Sequence, residues 1–160
     1  MSKVYIKICG IKDIETAKHS IKCGASFLGF VFFEKSKRNI SIGKCKEILN
    51  EIDGKVSTVA VTVNPTIDEL NTYSKMKFTH LQLHGNESLN DVKKINEDYN
   101  FKIIKSFGIS IDSDLANIDD YCPYIDHILL DSMQKKDMPG GTGEVFDWKI
   151  INNFSPNKSF

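Results

Sequence analysis

The sequence predicts an α/β fold of the TIM (β/α)₈-barrel family, carried by about six β/α units in a single domain, residues 1–160. Two observations predict it. Short β-branched runs alternate with amphipathic segments along the chain, as parallel strands joined by crossover helices require. The first strand-to-helix turn, where an open nucleotide-binding sheet carries G-x-G-x-x-G, reads instead Cys9-Gly10-Ile11-Lys12. Without that phosphate turn, a barrel is the better architecture for consecutive β/α units.

In chain order, the first strand is expected at Val4–Ile8. Asp13 then caps a helix with Ile14, Ala17 and Ile21 on one face and Gly24 as its stop. After a strand at Phe27–Phe32, Ser41 caps a helix that presents Ile42, Cys45, Leu49 and Ile52 and stops at Gly54. A third strand, Ser57–Val63, leads through Pro65 into the capping box Thr66-Ile67-Asp68-Glu69. The fourth, His80–Leu83, precedes a helix striped by Leu89, Val92, Ile95 and Tyr99. The fifth, Lys102–Lys105, is followed by a weak, short helix around Asp112 to Asp120. After a sixth strand at His127–Leu130, a last helix starts near Phe146, with Trp148 and Ile151 expected in the core.

Complete barrels of this type run from about 200 residues upward, so 160 residues fall short by about two units. Ser155-Pro156-Asn157-Lys158-Ser159-Phe160 reads as a loop leading toward another strand. The expectation is therefore a truncated, incomplete barrel whose first and sixth strands are edges open to self-association.

Composition narrows the partners. With 41% hydrophobic residues the chain can bury a sizeable core. Lys plus Arg and Asp plus Glu both total 21, so the net charge is zero and no basic surface for nucleic acid or anionic membrane is implied. No apolar run approaches the ~20 residues of a membrane span, and Met1 to Lys12 lacks the plan of a signal peptide. A cytoplasmic protein acting on a small molecule follows. The cysteines, Cys9, Cys23, Cys45 and Cys122, form no C-x-x-C pair, which argues against a zinc knuckle or a dithiol couple. Cys45 reads as core filling, and only Cys9 stands apart.

A barrel works at the carboxyl ends of its strands. Alternation turns Val4, Ile6 and Ile8 toward the helices and Tyr5, Lys7 and Cys9 inward, with Cys9 at the rim. The Lys7 ammonium below it would favour thiolate, although a packed thiol and a Lys7 paired with a core carboxylate fit the same residues. On the sixth strand His127, Leu129 and Asp131 face inward, Asp131 at the rim. Burial would raise its pKa so that it holds a proton for donation, a neighbouring cation would do the reverse, and a loop-capping Asp is the plain alternative. His80, Gln82 and His84 share one face of the fourth strand; residues four apart on a strand lie roughly 13 Å apart, too far for the two histidines to share one metal. Gln82 and His84 are thus better read as polar substrate contacts. Lys35-Ser36-Lys37-Arg38 is either a solvated run or an anion grip, Arg being able to hold a carboxylate bidentately. The glycines of Pro139-Gly140-Gly141-Thr142-Gly143 would let backbone N–H groups approach a substrate, or let a lid bend.

Five landmarks recur in order: Lys7-Ile8-Cys9-Gly10; Gly29-Phe30-Val31-Phe32 with Lys35-Ser36-Lys37-Arg38; Leu81-Gln82-Leu83-His84-Gly85; Leu130-Asp131-Ser132; and Gly140-Gly141-Thr142-Gly143 with Phe146-Asp147-Trp148. Through them, from the first strand to Trp148, the chain resembles the phosphoribosylanthranilate isomerase family. The resemblance implies an Amadori rearrangement of a small phosphorylated substrate in tryptophan biosynthesis, without metal or organic cofactor. It makes Asp131 the general acid that opens the ribose ring and Cys9 the general base that removes the C2′ proton. It sets Arg38 against the anthranilate carboxylate, with Lys7, Gln82, His84, Gly140 and Gly141 binding substrate. Barrels of this type commonly grip phosphate with loops after strands seven and eight, which this sequence does not contain, so weak or no activity is expected of this form. The alternatives are another phosphate-sugar barrel, such as a ribulose-phosphate epimerase or indole-glycerol-phosphate synthase relative, against which Cys9 and Asp131 argue, and an inactive remnant or self-associating fragment.

Overall fold

The computed structural model describes residues 4–132, 147–152 and 154–156. Six strands, β1 (Lys7–Cys9), β2 (Phe27–Phe32), β3 (Ser57–Thr62), β4 (His80–Leu83), β5 (Lys102–Ile109) and β6 (His127–Ser132), pair in chain order, every pair parallel. Helices α1 (Ile14–Lys22), α2 (Ile42–Glu51), α3 (Ile67–Ser74) and α4 (Leu89–Asp98) make the first four crossovers. The fifth is only the short α5 (Ile118–Tyr121) between 3₁₀ turns at Asp112–Leu115 and Cys122–Tyr124.

Local chemistry explains the helix starts. The Asp13 carboxylate accepts from the Thr16 amide at 2.7 Å, and Ser41 caps α2 in the same way. Thr66 with Glu69 and Ser88 with Asp91 close reciprocal capping boxes on α3 and α4.

Strand alternation sorts the apolar residues into two layers. Leu28, Phe30, Ala60, Leu81, Leu83, Ile103 and Ile128 pack outward against Ala17, Cys45, Ile48, Leu49, Leu70, Val92 and Ile95 of the helices. Inside, Val31, Val59, Val61 and Ile104 gather with Cys9, Phe27, Phe33 and Leu129. The inner layer also shows how strongly the sheet curls. The Phe27 ring on β2 lies 6.2 Å from the His127 ring on β6, whereas strands four places apart in a flat sheet stand about 19 Å from each other. Rings so close across that separation require the wall of a barrel.

The structure corrects three expectations. The first strand starts at Lys7 rather than Val4, and Val4 is 80% exposed; among the described residues β1 pairs only with β2, so Ile8, and Val4 and Ile6 just before the strand, lack the cover the alternation assumed. β5 and β6 run on to Ile109 and Ser132, because Ser106 and Gly108 interrupt an apolar run without interrupting backbone pairing, Gly108 lying opposite Asp131. The last element is a 3₁₀ turn, Trp148–Ile151, not a helix with Trp148 in the core. Trp148 is 67% exposed, and Ile150 with Phe154 packs on the outer layer instead. Phe146 lies outside the described residues.

Candidate active site

A cavity of about 260 Å³ opens at the carboxyl end of the sheet. It brings together Lys7 and Cys9 from β1, Ser36 and Arg38 from the loop after β2, Gln82 and His84 at the end of β4, and Asp131 of β6. These include every candidate site residue within the described part of the chain; Gly140 and Gly141 lie outside it. Val31, Val61 and Leu129 supply an apolar floor.

Two glycines place the first groups. Gly29 lies opposite Cys9 in the β1–β2 register, and a Cβ on it would meet the Cys9 Sγ at 3.1 Å, so its bare backbone leaves the thiol room against β2. Gly10 turns the chain out of β1 at φ +92°, and the Gly29 carbonyl accepts from the amides of both Gly10 and Ile11. Arg38 packs its stem onto Gly10: a Cβ there would come within 2.7 Å of Arg38 Cδ.

The loop carrying Arg38 is folded back on β2. Asn39 bridges Val31, its side-chain oxygen accepts from the Phe33 amide at 3.1 Å, and the Ile40 amide donates to the Val31 carbonyl. Ser36 Oγ accepts from the Arg38 amide. Of the basic run, Arg38 is thereby turned into the cavity, half-buried, while Lys35 and Lys37 stay exposed.

On the opposite wall Gln82 Nε2 lies 2.9 Å from His84 Nδ1, and His84 Nε2 lies 3.4 Å from Asp131 Oδ2. The Ser132 amide donates to Asp131 Oδ1 at 2.9 Å. The Asp131 carboxyl is consequently held below the usual carboxylate range, first by the hydrogen bond from His84, with the Ser132 amide and Arg38 adding to it and burial opposing. Burial therefore does not dominate, contrary to the expectation of a carboxyl raised by it: a donor within reach favours the anion more than partial burial disfavours it.

Behind this wall stands a group that the sequence reading overlooked. Glu87, buried, accepts from the amides of Asn64 and Gly85 and forms an ion pair with Lys105 Nζ at 2.9 Å. Lys105 also donates to the carbonyls of Gly85 and Ser106. Asn64, at φ +47°, accepts from the Asn86 amide so close to Gly85 that no Cβ would fit there. Together these bonds fix the turn after His84. The available signal was Lys105 itself, a charged residue on the same helix-facing side of β5 as Ile103 and Ile109.

Below the cavity, His80 and His127 stack at 6.1 Å beside Phe27, with His80 buried. Burial first, then the charge of His127, pushes the His80 imidazole down to about 4. His80 is thus a satisfied interior residue, its Nδ1 2.7 Å from Thr79 Oγ1. Cys45 is also interior, its thiol pushed up to about 12 by burial. Among the described residues no three His, Cys, Asp or Glu side chains are grouped to hold a metal ion.

Comparison with known proteins places this geometry in context. The family model for N-(5′-phosphoribosyl)anthranilate isomerase matches residues 6–160. The N-(5′-phosphoribosyl)anthranilate isomerase of Rhizobium johnstonii is 39% identical over 150 residues, 92% of this chain and 68% of that protein. The Bacillus cereus protein of the same name is 40% identical over 147 residues, again covering 68% of its length. The crystal structure of phosphoribosyl anthranilate isomerase from Thermotoga maritima superposes with a TM-score of 0.83 at 36% identity, over 95% of this chain and 72% of that one. A structure of such an isomerase in complex with reduced 1-(o-carboxyphenylamino)-1-deoxyribulose 5-phosphate superposes at 0.79 with 34% identity, over 95% of this chain and 70% of that one.

Proposed function

The chain belongs to the N-(5′-phosphoribosyl)anthranilate isomerase family of tryptophan biosynthesis, and from that premise we propose how the cavity carries out the Amadori rearrangement. Asp131 protonates the ribose ring oxygen. The C1′–O bond breaks with its electrons on that oxygen, and the anthranilate nitrogen lone pair closes the C1′=N Schiff base. Cys9, as thiolate, takes the C2′ proton, and the C2′–H electrons form the C1′=C2′ double bond of the enolamine. Proton gain at C1′ and loss from the C2′ hydroxyl complete the ketone. Arg38 holds the anthranilate carboxylate in two hydrogen bonds. Lys7 supplies positive charge beneath Cys9, Gln82 and His84 line the wall on the Asp131 side, and Gly140 and Gly141 border the substrate.

One observation supports this assignment above the others: a thiol from the first strand and a carboxyl from the sixth, remote in sequence, open on one cavity that a guanidinium also lines. General acid and general base need separate environments at one mouth, and β1 and β6 set the two groups on different strands of that mouth.

The family reaction requires no metal or organic cofactor in this scheme. The substrate is a small phosphorylated molecule, as is the compound named in the liganded relative. A cytoplasmic setting, with the thiols reduced, fits a biosynthetic step; no helix among the described residues is long and apolar enough to cross a membrane. Self-association is proposed through the exposed edges of the sheet, with Val4 and Ile6 before β1 and Ile8 within it exposed at one of them.

The experiment follows the fluorescence of phosphoribosylanthranilate on incubation with the purified chain, with its mass in solution measured in parallel. Loss of signal above the spontaneous rate is expected, abolished in the Cys9→Ser, Asp131→Asn double variant. Loss at the same rate in that variant overturns the assignment.

A further inference from the structure

The proposed general acid is held as an anion by its neighbour, and the details of that contact say how the proton is managed. The inference rests on the reading of Asp131 as the acid. The Gln82 amide nitrogen, 2.9 Å from His84 Nδ1, has only hydrogens to offer, so Nδ1 is the acceptor. In its neutral form the ring then carries its proton on Nε2, facing Asp131 Oδ2. Gln82 is 2% exposed, and its Oε1 is a buried oxygen with no hydrogen-bond partner among the described residues. Buried amide oxygens without partners are costly and uncommon, so this one calls for a second arrangement in which it is used.

We propose that Gln82 and His84 are positioning residues forming a tautomer switch behind Asp131. In the first setting, the one described, the Gln82 amide donates to Nδ1 and Nε2–H donates to the Asp131 carboxylate. In the second, the amide has turned over, Oε1 accepts Nδ1–H, and Nε2 accepts the O–H of a protonated Asp131. The two settings differ by one proton on the carboxyl, taken up from water. His84 is neutral in both, because the proton gained at Nδ1 replaces the one lost from Nε2, with water carrying it between the nitrogens. Turning a primary amide by half a revolution exchanges NH₂ and O within nearly the same volume, which a buried side chain tolerates. Among the described residues, the charged and titratable groups sharing the cavity with the ring are Asp131 of β6, Lys7 and Cys9 of β1 and Arg38 of the loop after β2.

The consequence is an acid that is loaded before the reaction and a strong donor during it. A protonated Asp131 is held by the Nε2 lone pair. Once its proton passes to the ribose ring oxygen, the return of the ring to Nε2–H stabilises the carboxylate left behind.

The test is ¹⁵N NMR of the imidazole nitrogens in the free chain, the His84 signals being assigned by their loss in His84→Asn. At alkaline pH the proton is expected on Nε2. In Gln82→Glu, whose carboxylate only accepts, it is expected on Nδ1; in Gln82→Leu, which neither donates nor accepts, the preference is expected to collapse to a mixture. Should Gln82→Glu fail to fold, the native chain and Gln82→Leu still decide. An Nδ1–H ring in the native chain, or an unchanged Nε2–H ring in the variants, overturns the switch. The kinetic arm expects Gln82→Glu to lower kcat about 10-fold with KM near native. A rise in KM alone would instead make Gln82 a substrate contact and overturn the switch. Unchanged turnover in Asp131→Asn would remove the general-acid reading and leave the tautomer result standing. Its loss, together with an unresponsive tautomer, removes the switch alone.

Discussion

Gly10 lies directly beneath the stem of Arg38: a Cβ on Gly10 would stand 2.7 Å from Cδ, 3.1 Å from Cγ and 3.2 Å from Cβ of the arginine. The contact reaches the base of the side chain, so Arg38 cannot evade it by swinging its tip. Gly10→Ala also places an L residue at φ +92°, which costs about 1–2 kcal/mol in backbone strain alone. The expected result is a modest loss of stability with a rise in KM of about 10-fold or more, since the displaced guanidinium is the group proposed to bind carboxylate in ground state and transition state alike. Steady-state kinetics beside a urea melt checks both parts; an unchanged KM would mean that Arg38 does not hold the substrate.

On the proposed mechanism Cys9 and Asp131 act in the transition states, so their removal should fall on kcat. Cys9→Ser and Asp131→Asn are each expected to lower kcat at least about 10²-fold with little change in the unfolding midpoint. Gly29→Ala approaches the thiol from the other side, its Cβ 3.1 Å from Sγ, and should lower kcat without removing any reacting group. If stability falls in step with activity in all three, the residues are structural and the proton-transfer roles fail.

How far the sequence carried can be judged from these same residues. Alternation alone turned Cys9, Lys7, Gln82, His84 and Asp131 into the barrel, and all of them line the cavity, because period two is imposed by the backbone and β-branched inner neighbours hold it. The capping signals at Asp13, Ser41 and Thr66 are local and survive unchanged. What was not legible is what depends on partners distant in the chain. Glu87 looks like a solvated loop residue until Lys105, on the next strand, reaches it. The low-lying Asp131 carboxyl depends on His84 two strands away, and neither burial nor sequence spacing states which influence prevails. Trp148 was misplaced for a similar reason: a 3₁₀ turn directs Ile150, not the indole, onto the outer layer.

The Glu87–Lys105 pair should prove expensive to break. The side chains are 3% and 4% exposed, and removing the ammonium leaves a buried carboxylate whose remaining partners among the described residues are the Asn64 and Gly85 amides. Lys105→Met is expected to destabilise the chain by about 3–5 kcal/mol, and Glu87→Gln, which keeps an oxygen for the Asn64 and Gly85 amides, by less. Chemical denaturation of the two variants measures the difference. A Lys105→Met chain as stable as the native one would show that the amides alone neutralise Glu87.

His80 makes the stability of the fold depend on pH. Its imidazole is pushed from 6.5 down to about 4 in the folded chain, by burial first and by His127 and Lys102 next, with Asp126 opposing. The unfolded chain therefore binds a proton at a pH where the folded chain does not. The stability associated with the neutral ring is complete above pH 6.5, declines as pH falls toward about 4, and is lost below that, where both states carry the proton. A shift of that size corresponds to roughly 3 kcal/mol at most. His80→Phe keeps an aromatic ring beside Phe27 and His127 but cannot take up a proton, so its stability should fall less steeply between pH 6.5 and pH 4 than that of the native chain. Urea unfolding of both chains at pH 7 and pH 5 compares the slopes; equal slopes would place the acid sensitivity elsewhere in the molecule.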